Sequence, residues 1–214
     1  MQHFPSWLMF PLTLLLGAAA CWLGTALARL DGRRPPLAWL GLAALAAVLA
    51  SALPQVADGG GLAIDALLLF LLLALAAADA YRYILPDVLT LGLLGIGLAV
   101  AFAGLGPLTL TDAAIGALAG GGGLYAISEV YRRWRGREGV GLGDVKLIAA
   151  GGAWIGWAGL PGAVLVAALA GLIFALLLGL LRRRPLRAGT RLPFGVFLTL
   201  GIWVAWRLGP LSFL

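Results

Sequence analysis

The chain has 214 residues, of which 62% are hydrophobic and only 11% are charged, and its mean hydropathy is +1.03. A water-soluble domain carries about 25% charged residues, so this composition excludes a soluble globular protein and indicates a protein that folds in lipid. The net charge of +6 does not indicate nucleic-acid binding, because the basic residues are confined to short loops between apolar runs. The single cysteine, Cys21, excludes an intramolecular disulfide and a multi-cysteine metal site.

Apolar runs separated by Gly, Pro and charged residues predict about eight transmembrane helices, since one span takes roughly 20 apolar residues. The predicted helices cover 7–29, 37–54, 62–80, 88–105, 112–131, 145–158, 161–181 and 193–208. The first run continues past Cys21 to Ala28, which favours an uncleaved helix over a signal peptide. The sixth run is short, and Gly159-Leu160-Pro161-Gly162 predicts a tight turn after it. We therefore predict an all-α integral membrane protein whose residues 1–214 form a single polytopic membrane domain.

The basic residues predict the orientation of these helices. Fourteen of the fifteen lie in alternate loops, after the first, third, fifth and seventh predicted helices, and only Arg207 lies on the opposite side. Because positive charge is concentrated in cytoplasmic loops, those four loops are predicted to be cytoplasmic. The chain is then a multi-pass membrane protein with both termini outside the cytoplasm, which would be the periplasm for a protein of the bacterial inner membrane.

The inventory of reactive side chains is short. The sequence has no Asn, one His (His3) and four Ser, so a Ser-His-Asp triad or a Cys-His pair would lack its base. Zinc sites are usually built from His and Cys, and we predict no metal site. Hydrolysis, if it occurs, would have to depend on carboxylates.

Two acidic clusters stand out. In the first, Asp79 ends the third apolar run, and Pro86-Asp87 opens the fourth; Pro86 cannot continue a helix and favours an extended Leu85. In the second, the glycine-rich segment Gly139-Val-Gly141-Leu-Gly143-Asp144-Val-Lys146 leads into the sixth run. Both clusters fall at the predicted cytoplasmic interface, so we expect them to form one convergent site.

Simpler structural roles exist for several of these residues. Asp87, Asp144 and Asp112 each precede an apolar helix, where Asp is a favoured N-cap. Asp79 is harder to explain in this way, because it lies inside an apolar run, where ionisable residues are costly and usually functional. The remaining features have structural interpretations: an interfacial Asp65, a Glu129 paired with a nearby Arg, close helix packing at Gly120–Gly123, and no function for His3 and Cys21.

The two clusters resemble the type IV prepilin peptidase family, also called type IV leader peptidases, of the GxGD group of intramembrane aspartyl proteases. The family pattern is an Asp, then Pro-Asp about seven residues on, then Gly-x-Gly-Asp-x-Lys before a later helix. Here these are Asp79, Pro86-Asp87 and Gly141-Leu-Gly143-Asp144-Val-Lys146. A further family-like stretch, Leu192-Pro193-Phe194-Gly195-Val-Phe197, opens the last helix. These motifs lie within residues 75–208, which we predict to be the peptidase core.

The resemblance implies an aspartic endopeptidase that removes the short basic leader from type IV prepilins or from the pseudopilins of type II secretion, at the cytoplasmic membrane face. Asp79 and Asp144 would be the catalytic residues. Supporting residues would be Pro86, Asp87, Gly141, Gly143 and Lys146. The partners would be a prepilin or pseudopilin helix and membrane lipid, with no nucleic acid, and proteolysis would need no cofactor. The oligomeric state stays open.

The region after the first predicted helix departs from the family pattern. Gly24-Thr-Ala-Leu-Ala-Arg29-Leu-Asp-Gly is a faint match to the family's motif there, and only a few residues precede the second predicted helix. The cytoplasmic segment that often carries paired cysteines is missing from this loop. We therefore expect little or no N-methylation of the cleaved product, so that S-adenosylmethionine would be used only if that second activity is retained.

Two other functions fit the same composition. A small proton-coupled transporter also carries intramembrane acids, but it would favour acids near the bilayer middle and a water path to both sides. A non-catalytic subunit of a pilus or secretion machine is the second alternative. The clustering of the acids at one membrane face favours the protease.

Overall fold

The structure is a computed structural model, and it describes residues 62–136, 139–182 and 193–209. The two helices predicted over 7–29 and 37–54 lie outside the described residues, as do His3, Cys21 and the arginine-rich loop before the last helix.

The described part of the chain is all-helical. It consists of α1 (Leu62–Arg82), α2 (Asp87–Phe102), α3 (Leu110–Arg135), α4 (Leu142–Arg182) and α5 (Phe194–Leu208). Among the described residues, three stretches are long and apolar enough to cross a membrane: Ala63–Arg82, Leu110–Arg135 and Leu142–Leu180. Helices α2 and α5 are apolar but shorter. The composition thus predicted the helical class correctly.

Helix α4 reverses direction at Gly156, whose φ of 66° and ψ of 176° are not helical. A side chain at Gly151 would touch Ile202, and one at Gly201 would touch the carbonyl of Ala163. Residues 151 and 163 would lie about 18 Å apart in a straight helix, yet both meet the same turn of α5, so residues 142–155 and 157–182 form two antiparallel arms. The prediction of two helices here is confirmed. The turn predicted at Gly159–Gly162 was wrong, because the chain turns at Gly156 instead. Glycine adopts the positive φ at this position readily because it has no Cβ.

The helix ends follow local chemistry. Tyr83 N–H donates to the Asp79 carbonyl, and the chain then runs without helical structure to Pro86, the N-cap of α2, whose φ of −62° and ψ of 127° are extended. Thr109 caps α3 by accepting from the Asp112 backbone N–H at 3.2 Å. Gly136 ends α3 in the left-handed region, with a φ of 66°. Asp112 thus lies in the first turn of α3, and the prediction that it is the N-cap residue was wrong.

The first arm of α4 is the centre of the bundle and packs against α2, α3 and α5. Glycines allow its close approach to α3: a Cβ on Gly116 would overlap the Gly152 carbonyl, and one on Gly120 would lie 2.8 Å from the Ile148 carbonyl oxygen. The close packing predicted for Gly120–Gly123 holds at Gly120 and Gly121. It was wrong at the next two glycines, whose Cβ positions meet nothing within 4 Å.

The described helices have two ends with different polar chemistry. At one, α1 finishes while α2, α4 and α5 begin, and the contacts Asp79–Val196 and Asp87–Lys146 join them. We call this the Asp79 end. At the other, α1 begins and α5 finishes, joined by Asp65–Arg207. We call this the Asp65 end. The antiparallel arrangement of the helices therefore brings the two acidic motifs to the same end.

Candidate active site

Asp79 is buried at the Asp79 end, with only 5% of its surface exposed. Its Oδ2 accepts a hydrogen bond of 3.1 Å from the backbone N–H of Val196, in the first turn of α5. The N–H of Gly195 also interacts with this carboxylate. The first N–H groups of a helix have no partner within it and attract anions. The carboxylate of one helix thus lies at the N-terminus of another, and Pro193 stands directly before that helix.

Gly195 is required for this contact. A Cβ built on it would lie 2.8 Å from Oδ2 and 2.9 Å from Cγ of Asp79, and 3.3 Å from Cδ1 of Leu85. Real Cβ contacts are essentially never that short, so any side chain at 195 would displace the carboxylate. The family-like stretch at the start of the last predicted helix therefore has a structural role: it brings backbone donors against Asp79. Motif spacing alone gave no signal for this contact.

Asp144 is the third residue of α4 and is partly buried. Its own N–H donates to the Gly141 carbonyl at 3.1 Å, and its carboxylate interacts with the Gly141 N–H. The prediction that Asp144 is an N-cap residue was wrong by position, because the helix already begins at Leu142. The Asp144 carboxylate is near enough to that of Asp79 for the two to interact electrostatically.

Leu85 lies between the two aspartate-bearing segments. Its side chain is 3.2 Å from a Cβ built on Gly143 and 3.3 Å from one built on Gly195, and only 9% of the residue is exposed. The chain is non-helical from Tyr83 to Pro86, and Tyr83 has a positive φ of 57°. A non-glycine residue rarely adopts such a φ, so the packed Leu85 helps to hold a strained turn beside the two carboxylates.

Asp87 and Lys146 form an ion pair across α2 and α4, with Nζ and Oδ1 2.7 Å apart. Both side chains are largely exposed, at 61% for Asp87 and 46% for Lys146. The interpretation of Asp87 as a helix cap was wrong: Pro86 is the N-cap, and no side-chain cap bond is present. The pair instead ties the start of α2 to the first turn of α4, next to Asp144.

The glycine-rich segment before α4 is anchored on α3. Ser128 Oγ donates to the Val140 carbonyl at 3.2 Å, and a Cβ on Gly139 would lie 2.6 Å from the Tyr131 ring. Sequence reasoning assigned no role to Ser128 or Tyr131, which lie 12 and 8 residues before their contacts. The structural role predicted for Glu129 is confirmed, because it pairs with Arg132 and Arg133, each at 2.7 Å.

The described residues contain no group of three or more His, Cys, Asp or Glu side chains that could hold a metal ion. The polar groups at the Asp79 end are the buried carboxylate of Asp79, the carboxylate of Asp144, backbone N–H groups and the exposed ion pair of Asp87 and Lys146. These features define a class: an all-helical integral membrane protein with two neighbouring acids at one end of its helices.

Comparison with known proteins identifies the family. Residues 66–176 match the model of the type IV leader peptidase family, which is more than half of the chain, and the chain belongs to this family. The match includes both acidic motifs, whereas α5 with Gly195 lies beyond it.

Individual relatives agree with this assignment. The chain is 41% identical over 172 residues to a prepilin leader peptidase/N-methyltransferase of Aeromonas salmonicida, covering 80% of this chain and 57% of that protein. It is 38% identical over 174 residues to the Pseudomonas aeruginosa protein of the same name, covering 81% of this chain and 58% of that protein. It is 43% identical over 170 residues to the Burkholderia pseudomallei protein of the same name, covering 79% of this chain and 53% of that protein. The chain thus spans somewhat over half of these relatives. No solved structure matches it.

Proposed function

We propose that this protein is an aspartic endopeptidase that removes the short basic leader from type IV prepilins or from the pseudopilins of type II secretion. The observation that carries the proposal is that Asp79 and Asp144 lie at the same end of the helices, in segments that both pack against Leu85. Asp79 is 5% exposed and has no cationic partner among the described side chains, and its carboxylate interacts with that of Asp144. The curated relatives named as prepilin leader peptidases support the substrate class.

The geometry supports acid–base catalysis by two carboxyl groups. Two nearby carboxylates cannot both ionise cheaply, so the pair holds one proton between them. The ionised group takes a proton from water as the water oxygen attacks the scissile carbonyl carbon, and the protonated group supplies a proton to the carbonyl oxygen. On collapse of the resulting diol, the ionised carboxylate takes a proton from one hydroxyl as the carbonyl re-forms, the protonated carboxyl gives its proton to the nitrogen, and the C–N bond breaks, so the pair again holds one proton. The N–H of Val196 fixes the position of Asp79 throughout.

The supporting residues have roles in holding the pair. Gly143 leaves room for Leu85, which would lie 3.2 Å from a Cβ at that position, and the Gly141 carbonyl accepts the backbone N–H of Asp144. Pro86 sets the turn after Asp79. The pair of Asp87 and Lys146 joins the two helices that carry the motifs. We include these five residues in the proposed site as positioning groups, because none of them supplies a further acid or base to the reacting atoms.

The proposed architecture is that of the GxGD group, with about eight transmembrane helices in one polytopic domain over 1–214 and a peptidase core over 75–208. The arginine distribution supports a topology with the Asp79 end at the cytoplasm and both termini in the periplasm. Reporter fusions after residues 33, 135 and 187 should report the cytoplasm, and one at the C-terminus the periplasm. A cytoplasmic C-terminus would overturn this topology.

A transporter is less well supported by the arrangement of acids. Asp79, Asp87 and Asp144 meet at one end, whereas Asp65 at the other end is neutralised by Arg207. No series of acids crosses the described helices from one end to the other. A non-catalytic assembly subunit would not need a buried, uncompensated carboxylate, which is costly within a membrane helix.

The test is direct cleavage. The purified full chain in detergent micelles would be incubated with a prepilin that retains its leader, and the product mass would be measured. We expect a mass loss equal to the leader, with cleavage after a Gly. An intact prepilin, in an assay where a curated relative cleaves the same substrate, would refute the proposed function.

The same mass spectra test the N-methyltransferase activity for which the relatives are also named. We expect the new N-terminus to stay unmethylated when S-adenosylmethionine is present, because the loop predicted between the first two helices lacks the cysteine-bearing segment. A product heavier by one methyl group in most molecules would show that the second activity is retained.

A further inference from the structure

A second buried polar cluster lies at the Asp65 end. Arg207 Nη1 and Asp65 Oδ2 are 2.6 Å apart, and their side chains are only 9% and 14% exposed. The Trp206 indole N–H donates to the other oxygen of Asp65 at 2.8 Å. The Arg207 guanidinium also lies over the ring of Trp203, 5.5 Å from its centroid. Arg207 is the one basic residue outside the predicted cytoplasmic loops, and Asp65 neutralises it.

The two polar connections between α1 and α5 lie on one seam. Asp65 and Asp79 are 14 residues apart, close to four helical turns, so both face the same side of α1. Val196 and Arg207 are 11 residues apart, close to three turns, so they share a side of α5. The connections are therefore separated by about 20 Å along α1. One orients the N–H of Val196 toward Asp79, and the other joins two charges.

The α1 residues between these connections are apolar. Leu68, Leu72 and Leu75 continue the spacing of Asp65 and Asp79 in steps of three and four residues, and each is at most 2% exposed. Contacts between aliphatic side chains tolerate sliding of one helix along another. A buried polar pair does not, and fixing register is the best-attested use of such pairs. Arg207 Nε has no hydrogen-bond partner in the part of the chain described here, so the cluster is not arranged to satisfy every polar atom.

We propose that the Asp65–Arg207 pair is a positioning clamp that sets the axial register of α1 against α5 and thereby holds the Asp79 carboxylate at the N–H of Val196. Neither residue touches the reacting atoms, since Asp65 lies about 21 Å from Asp79 along α1 and Arg207 lies about 16 Å from Val196 along α5. The effect on cleavage rests on the proposed peptidase function. The effect on helix register is independent of that function, and it is measured separately by crosslinking α1 to α5.

The decisive variant replaces both charged residues by apolar ones, Asp65→Leu with Arg207→Met. Exchanging a buried ion pair for apolar residues of similar size is often neutral or stabilising. A pair that serves only stability would therefore be dispensable in this variant, whereas a register clamp would not. Asp112→Asn is the matched control, because Asp112 lies in the first turn of α3, opposite the Asp79 end, and contacts Thr109 rather than the seam.

Disulfide formation between α1 and α5 reports the register without any activity. A Cβ on Gly195 lies 2.9 Å from Cγ of Asp79, so cysteines introduced by Asp79→Cys and Gly195→Cys are near the roughly 3.5–4.5 Å Cβ separation of a disulfide. Cys21, the one native cysteine, would be replaced by Cys21→Ser. The full chain in membranes would be oxidised, and the rate of crosslinking followed by a mobility shift after proteolysis between the two positions.

We expect the apolar double substitution to slow crosslinking at least tenfold and the Asp112→Asn control to leave it unchanged. In the chain with Asp79 and Gly195 intact, the double substitution should lower kcat about tenfold with KM within twofold. Unchanged crosslinking in a folded double variant would overturn the clamp even if the chain cleaves prepilin. If the double variant is not recovered from membranes, Asp65→Glu decides: it keeps the charge but adds a methylene, and an unchanged crosslinking rate there would equally refute the proposal.

Discussion

Helix α1 carries two aspartates with different surroundings, a buried Asp79 and an Asp65 whose side chain is 14% exposed. Asp65 lies against a guanidinium at 2.6 Å and an indole N–H at 2.8 Å. Asp79 lies against the backbone N–H of Val196 at 3.1 Å and near a second carboxylate, with no cation among its described partners. The residue type, the helix and the burial are similar, so the difference is in what compensates the charge.

Under the proposed function, the comparison separates a structural acid, Asp65, from a reactive one, Asp79. The carboxylate of Asp65 is paired with an arginine and accepts from an indole N–H, so both of its oxygens have structural partners. A carboxylate held by backbone dipoles beside another acid can take up and release a proton, which acid–base catalysis requires. In sequence both are single aspartates in an apolar helix, and Asp79 was distinguished by the cost of an acid within the apolar run and by the family motif. The structure adds the physical reason.

Removing the carboxylate of Asp79 should have the largest effect. Asp79→Asn keeps the size of the side chain and an acceptor for Val196, but it cannot hold or release the shared proton. We expect kcat for prepilin cleavage to fall by roughly 10³-fold or more, measured by product mass with purified enzyme. Asp112→Asn is the control, and it should retain near-normal activity. Cleavage by Asp79→Asn within tenfold of the unmodified chain would place the chemistry elsewhere.

A methyl group at Gly195 tests the backbone side of the same contact. In Gly195→Ala the new Cβ would lie 2.8 Å from Oδ2 of Asp79, so the carboxylate must move, and displacement by about 1 Å can cost around 100-fold in rate. We expect kcat to fall between tenfold and 100-fold while the protein remains folded. Gly92→Ala is the control, because its Cβ meets nothing within 4 Å. Equal activities of the two variants would show that Asp79 does not depend on α5.

The exposed pair of Asp87 and Lys146 should matter least. An ion pair at such exposure contributes about 0–1 kcal/mol, and Asp87→Asn keeps a hydrogen-bond acceptor for Lys146. We therefore expect kcat and KM to stay within about threefold, and the midpoint of thermal unfolding to shift by a few degrees at most. Loss of activity comparable to that of Asp79→Asn would mean that Asp87 takes part in the reaction itself.

Much of the described fold was predictable from the sequence. Lipid exposure makes long apolar runs unambiguous, so the helices and the break before Pro86 were located within a few residues. The turn in α4 was misplaced because Gly159-Leu160-Pro161-Gly162 has the stronger turn composition, whereas Gly156 is used for its positive φ. Composition does not reveal which glycine the packing will select.

The candidate site was predictable in its residues but not in its contacts. Asp79 and Asp144 follow from motif spacing and from the cost of an acid in an apolar run. The contacts of Asp79 with Val196 and of Asp65 with Arg207 join residues 117 and 142 positions apart, and no local pattern encodes such pairs. The cap interpretation of Asp87 failed for the same reason, because its partner Lys146 lies 59 residues away.

The central claim is that Asp79 and Asp144 act as one unit, and a double-mutant comparison tests it most directly. Single-turnover cleavage of a prepilin would be measured for Asp79→Asn, Asp144→Asn and the variant with both substitutions, each shown to be folded in detergent. For groups that work as a pair, either single loss removes the whole contribution, so all three residual rates should agree within about threefold. Robust cleavage by Asp144→Asn, or a double variant slower by the product of the two single losses, would contradict the account.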